Sequence, residues 1–280
     1  MQALITAAEL AATGDALVLD VTVDLAAPEF DGDYRSGSGR EHWLERHIPG
    51  SAHVDLRKVF ADPGKPYHFG SPSPGLVAAQ LAALGAREGV PVVLYDSGSL
   101  QWAARAWWTL RDAGFDARIL DGGLPAWDGP VASGEEPARS PGFLPEPGES
   151  RGLWADRADV EDITHGRAPG VLVCALSPDY LAGTVPTRYS RRGHIPGGLS
   201  LPARTLLTPD GLVRTGSDLA SALAPVPEDP DTPIVVYCGG GVSACLTALG
   251  LVLGGRRNVR VYDGSLEEWS ADPSLPLVFS

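Results

Sequence analysis

Two patterns of apolar residues alternate along this chain. Short, nearly unbroken apolar runs at 16–21, 91–95 and 118–120 predict strands, as do runs at 171–173, 234–237 and 259–262. Between them, residues 76–84, 100–111, 156–164, 218–223 and 242–253 have helical composition and spacing. Gly85 and Gly114 stand where the first two of those helices would stop. Thr6-Ala7-Ala8-Glu9 reads as a capping box that opens a further helix at the start. Strands apolar on both faces, alternating with helices, imply an α/β fold: a parallel sheet with helices on both faces.

The pattern occurs twice. His47-Ile48-Pro49-Gly50 returns as His194-Ile195-Pro196-Gly197, 147 residues later. Leu120-Asp121-Gly122-Gly123-Leu124 with Trp127 is echoed by Tyr262-Asp263-Gly264-Ser265-Leu266 with Trp269, at an offset of 142. The strand 92–96 matches 234–238 at the same offset. Three blocks in one order predict two tandem units of the same fold. Four prolines and three glycines in SGEEPARSPGFLPEPGES mark a linker at 133–150, between units at 1–132 and 151–280.

Composition narrows the range of partners. The chain has 280 residues, 44% hydrophobic and 20% charged, with a net charge of −13. Such an acidic chain is not expected to hold a nucleic-acid backbone, so any anion it binds must meet a local positive feature. No apolar stretch is long enough to span a bilayer, and the first residues lack the basic and apolar regions of a secretory signal. The three cysteines, Cys174, Cys238 and Cys245, are too few and odd in number for a disulfide framework. A cytoplasmic protein is expected. No CxxC and no histidine grouping at ligand spacing suggests a metal.

The candidate chemistry centres on Cys238. It ends a buried strand and is followed by Gly239-Gly240-Gly241-Val242-Ser243-Ala244, where a helix begins. In a parallel sheet that loop lies at the ligand-binding edge. Its glycines let backbone N–H groups converge at a helix N-terminus, a site for an anion that needs no basic side chain. The thiolate of Cys238, or a sulfur group attached to it, is the natural occupant. The matching residue of the first half is Asp96, so one copy has lost the nucleophile. Cys174 lacks a glycine loop and Cys245 falls inside the helix, so both read as core residues.

These blocks resemble the tandem rhodanese-type sulfurtransferases, over nearly the whole chain. The resemblance implies two rhodanese-like domains, the first inactive and the second catalytic. It implies no metal or organic cofactor. Cys238 would take sulfur from a small anionic donor as a persulfide and pass it to cyanide, a thiol or a thioredoxin-like acceptor, with residues 239–244 holding the persulfide charge. Gly239-Gly240-Gly241-Val242-Ser243 is similar to the loop of members that use 3-mercaptopyruvate rather than thiosulfate, except that Gly240 replaces a serine associated with proton transfer. Leu176 and Asp179 stand where the family carries donor-gripping arginines. Arg188 and Arg191, with Arg192 beside them, are the candidate replacements, and His68 falls near a first-domain histidine of the family. His47 and His194 read as packing residues of the repeat.

Two other readings compete. A Cys-based phosphatase needs an arginine six residues after the nucleophile, where this chain has Ala244. A catalytically weak persulfide carrier or partner-binding protein fits the missing arginines but not the intact loop.

Overall fold

Thr6 does open a helix. Its hydroxyl accepts from Glu9 N while the Glu9 carboxylate accepts from Thr6 N. In the computed structural model, which describes residues 2–144 and 147–280, the first half runs β1 (Leu4–Ile5), α1 (Ala7–Ala12), β2 (Leu17–Asp20), β3 (Val23–Leu25), β4 (Ser36–Ser38), α2 (Arg40–Glu45), β5 (Ala52–His53), α3 (Pro74–Ala83), β6 (Val92–Tyr95), α4 (Gln101–Asp112) and β7 (Arg118–Leu120). The second half runs β8 (Trp154–Ala155), α5 (Arg157–Thr164), β9 (Val171–Cys174), α6 (Pro178–Leu181), β10 (Leu199–Ser200), α7 (Gly216–Ala222), β11 (Ile234–Tyr237), α8 (Ser243–Leu253), β12 (Val259–Tyr262) and α9 (Ser265–Ala271).

The repeat in the sequence becomes a repeat in topology. One five-stranded sheet has the order β1-β7-β6-β2-β5, the other β8-β12-β11-β9-β10, and every pairing in both is parallel. The recurring His-Ile-Pro-Gly block has the same task in each copy. Ile48 N donates to the Tyr95 hydroxyl and Ile195 N to that of Tyr237, which ties the block to the end of the central strand. His47 and His194 pair through backbone bridges with Ala132 and Val278.

Strand parity decides which side chains meet. Leu17, Leu19, Val92 and Leu94 face inward, as do Val173, Val236 and Cys238, and both sets belong to one continuous core. Val18, Val93 and Tyr95 face a separate outer core with Leu10 of α1, and Leu172, Cys174 and Tyr237 face another with Val160 of α5 and Trp269 of α9. The inner core is closed by α4 against α8. Ten of the twelve residues of α4 are buried, three of them tryptophans. Burying a large apolar side chain contributes about 1.5–3 kcal/mol, so separating the halves is costly.

The proline-rich segment is pinned to the first half. Arg139 donates to Asp15 Oδ1 and Ala16 O, Gly142 N to Ala82 O, and Ser150 Oγ to Asp112. Pro145 and Glu146 of the expected linker lie outside the described residues. Among the described residues no helix is long and apolar enough to cross a membrane.

Candidate active site

Cys238 follows β11 directly and lies against the inner core, at the C-terminal end of its sheet. Its loop is held from behind. Leu266 N donates to Cys238 O at 3.0 Å and Glu267 N to Gly239 O at 2.7 Å. Gly241 O accepts from Arg105 Nη1 at 3.1 Å and from the Cys245 thiol at 3.2 Å. Cys238 N donates to Ser265 Oγ at 3.1 Å. A trans peptide unit points its carbonyl and its N–H in opposite directions. Anchoring these three carbonyls therefore turns the N–H groups of Gly239, Gly240 and Val242 the other way. Among the described residues, the backbone N–H groups of residues 239–244 have no hydrogen-bond partner. At the start of the eleven-residue α8 they form a convergent set of donors with the helix dipole behind them.

The turn requires glycine at one position above all. Gly241 has φ +71°, and a Cβ there would lie 2.7 Å from Asp263 O and 2.9 Å from Arg105 Nη1.

The first half has a carboxyl group at the matching place. The Asp96 carboxylate accepts from the backbone N–H of Gly98, Leu100, Trp102 and Ala103 at 2.9–3.3 Å, and Leu124 N donates to Asp96 O. Burial pushes this carboxyl up, and the four N–H donors pull it back. The two loops differ in detail: positive φ falls on Gly98 and Leu100 in the first and on Gly241 in the second.

A cavity of about 450 Å³ opens onto Cys238. Gly239, Gly240, Val242 and Ser243 line it, whereas Gly241 and Ala244 are buried behind. The first half contributes Leu25, Tyr34, Ser99 and Gln101 to its wall. Leu176 lines it as well, and Asp179 does not.

The three neighbouring arginines separate. Arg188 lines the cavity, its guanidinium steadied by Ala26 O at 2.7 and 3.2 Å. Arg191 corrects the expectation of a donor-gripping residue. Its guanidinium turns to the C-terminal end of α9 and is engaged by Ser270 O and Asp272 O, carbonyls the helix end leaves unpaired, and by Leu275 O beyond them. Arg192 pairs with Asp31 of the first half at 2.8 Å. The second cation of the cavity is Arg204, from the short helical turn Ala203–Leu206, which sequence reasoning missed. It sits in no motif, and only the return of the chain past β10 brings it near Cys238.

His68 does not line the cavity. It stands behind Glu267, which does, with Nδ1 at 2.5 Å from Glu267 Oε1, and its ring stacks on Tyr34 at 3.7 Å. Burial, and then the Glu267 charge, push the Tyr34 phenol up, which keeps it a proton donor. Arg105, from α4, is equally without a sequence signal. It is fully buried and pairs with Asp263 at 2.8 Å, beneath the Cys238 loop.

The other cysteines have different surroundings. Burial pushes the thiols of Cys174 and Cys245 up to about 12, so both stay protonated at neutral pH. Cys174 ends a strand as Cys238 does, but its parity turns it into the outer core.

Known proteins share the fold and much of the sequence. The rhodanese-like domain model matches residues 6–129 and 184–272. SseB of Mycobacterium tuberculosis, provisionally named a thiosulfate sulfurtransferase, is 35% identical over 99% of this chain and 96% of its own. The 3-mercaptopyruvate sulfurtransferase of Escherichia coli is 33% identical over 85% of each chain. The crystal structure of SseA from Escherichia coli, described as a 3-mercaptopyruvate sulfotransferase with the rhodanese fold, superposes with a TM-score of 0.78. It is 27% identical, and the match covers 95% of this chain and 99% of that one. A duplicated parallel sheet, a single cysteine-bearing loop and full-length similarity at this level leave one assignment: the chain belongs to the tandem rhodanese-type sulfurtransferases.

Proposed function

We propose that this enzyme moves sulfane sulfur from a small anionic donor, 3-mercaptopyruvate or thiosulfate, through a persulfide on Cys238 to a thiophilic acceptor such as cyanide, a thiol or a thioredoxin-like protein in the cytoplasm. The observation that carries this reading is the set of unpaired loop N–H groups facing the cavity after Cys238, with its counterpart filled by a carboxylate in the first half.

The Cys238 thiolate attacks the outer sulfur of the donor. The new S–S bond forms as the donor's own bond to that sulfur breaks, and the leaving group departs with the electron pair. The negative charge on the terminal sulfur is stabilised by the N–H groups of Gly239, Gly240 and Val242, an electrostatic role fixed before the reaction begins. Arg188 and Arg204 are the cations available for the donor's carboxylate or sulfonate, in place of the arginines absent at Leu176 and Asp179. The acceptor then attacks the terminal sulfur and restores the thiolate. In this reading residues 1–132 are the half without a nucleophile, 133–150 the linker and 151–280 the catalytic half.

The test is mass spectrometry after incubation with each donor. One sulfur atom is expected on the peptide that bears Cys238, and Cys238→Ser is expected to abolish transfer to cyanide while keeping the native melting curve. Sulfur found on Cys174 or Cys245, or transfer retained in the variant, would overturn the mechanism. Loading of Cys238 without turnover to any acceptor would favour the persulfide-carrier reading.

A further inference from the structure

A carboxylate in a cavity that receives anions is out of keeping with its surroundings. Among the described residues lining the cavity, Glu267 is the one acidic side chain, with Arg188 and Arg204 as the cations. Its position is closely fixed. Its backbone N–H is bonded to Gly239 O at 2.7 Å, and its carboxylate accepts from the His68 backbone N–H at 3.3 Å and meets His68 Nδ1 at 2.5 Å. The His68 ring is in turn held flat against Tyr34, 3.7 Å away and 3° from parallel. The His68 N–H reaches both carboxylate oxygens at 3.3 Å, but Nδ1 meets only Oε1, and Oε2 is the oxygen beside the loop: a Cβ built on Gly240 would lie 3.2 Å from it. A larger residue at 240 would crowd the carboxylate, so Gly240 leaves room for it two residues from Cys238.

The two donor classes make different demands on such a group. Attack on thiosulfate breaks an S–S bond and releases sulfite, an anion that leaves without a proton. Attack on the thiol sulfur of a 2-oxo thiol breaks a C–S bond. The S–S bond to Cys238 forms, the C–S electron pair goes to carbon, and the product is an enolate that needs a proton on that carbon. The sulfur must lose its own proton to become the persulfide anion. One proton therefore passes from sulfur to carbon, and no external oxidant or reductant takes part.

We infer that Glu267 is a catalytic residue for donors whose sulfur leaves from carbon: its carboxylate takes the proton from the donor sulfur and returns it to the carbon of the leaving enolate, while His68 is the positioning residue that aims Oε2 at the site. The inference rests on the sulfurtransferase reading above and deepens it by naming the donor class, 3-mercaptopyruvate in kind. The carboxylate begins and ends ionised, so one residue serves as base and then acid.

The experiment is rapid-quench loading of Cys238, followed by intact mass, with 3-mercaptopyruvate and with thiosulfate in parallel. For Glu267→Gln, loading from 3-mercaptopyruvate is expected to slow by about 10²–10⁴, the usual range for losing a general acid–base group. Loading from thiosulfate is expected to rise, because a dianion no longer meets a like charge. His68→Gln, which keeps Glu267 but loosens its aim, is expected to slow the 3-mercaptopyruvate reaction alone, and by less. Equal slowing with both donors, or loading from 3-mercaptopyruvate within about threefold of wild type in Glu267→Gln, overturns the assignment. A wild type that loads from thiosulfate and never from 3-mercaptopyruvate overturns it too, while leaving the sulfurtransferase reading intact. A wild type that loads from neither removes both.

Discussion

Replacing Arg105 by methionine measures how far the half without a cysteine governs the half that bears Cys238. Arg105 is 2% exposed, and its guanidinium lies 4.2 Å above the Trp154 ring. It donates to Asp263 Oδ1 at 2.8 Å, to Gly241 O at 3.1 Å and to Phe69 O. Without it Asp263, itself buried, keeps Tyr67 Oη and Ser71 N as donors but loses its counter-charge. Removing one partner of a buried ion pair costs about 3–5 kcal/mol. At about 2–4 °C per kcal/mol for a domain of this size, the melting temperature should fall by about 6–20 °C. The double variant Arg105→Met with Asp263→Asn removes both charges, and the amide oxygen still accepts from Tyr67 and Ser71. It should recover most of the stability. Loading of Cys238 should not recover, because Gly241 O keeps only the weak thiol donor of Cys245 and the 241–242 peptide is freer to turn its N–H from the sulfur. Losing a fixed donor of this kind costs about 10²–10³ in rate, and a loosened one is expected to cost about tenfold or more. Calorimetry and rapid-quench loading on the three proteins decide the matter. A double variant that regains both stability and loading rate would refute the argument, since Arg105 would then be only a counter-ion.

Arg188→Ala and Arg204→Ala are each expected to raise KM for an anionic donor by about 10- to 100-fold, the worth of one charge-assisted hydrogen bond. Arg204 has no hydrogen bond or ion pair to its side chain among the described residues, so its loss should leave the melting temperature almost unchanged, and an unchanged KM in both variants would exclude them from donor binding. Gly241→Ala should slow persulfide formation at least about tenfold, because the left-handed backbone costs an L-residue about 1–2 kcal/mol and the methyl meets Asp263 O at 2.7 Å. Stopped-flow loading at wild-type rate in that variant would show that the loop tolerates another shape.

Much of the fold could be read from the chain because its signals are local. The capping box at Thr6, the apolar strands at 92–95 and 234–237 and the stops at Gly85 and Gly114 need only near neighbours. The two-residue edge strands β1, β5, β8 and β10 carry too few residues for any period, and they exist because a neighbouring strand offers them a ladder. The arginines show the same limit. Nothing in Arg188-Tyr189-Ser190-Arg191-Arg192 tells which guanidinium meets the cavity, which caps α9 and which pairs with Asp31.

By itself the sequence determined the duplication, the α/β class, the candidate cysteine and the glycine loop that follows it, since each is written in residue type and spacing. Only the tertiary structure decided how the halves cooperate. Arg105 and Asp263 are 158 residues apart, and His68 and Glu267 are 199 apart. No periodicity links such pairs. They meet because the inner faces of both sheets are apolar and are covered by α4 and α8, which bury themselves against each other and bring α4 and the 67–71 segment up behind the loop of Cys238. That burial turns the first half, which has a carboxylate where the nucleophile would be, into the support of the second half's loop.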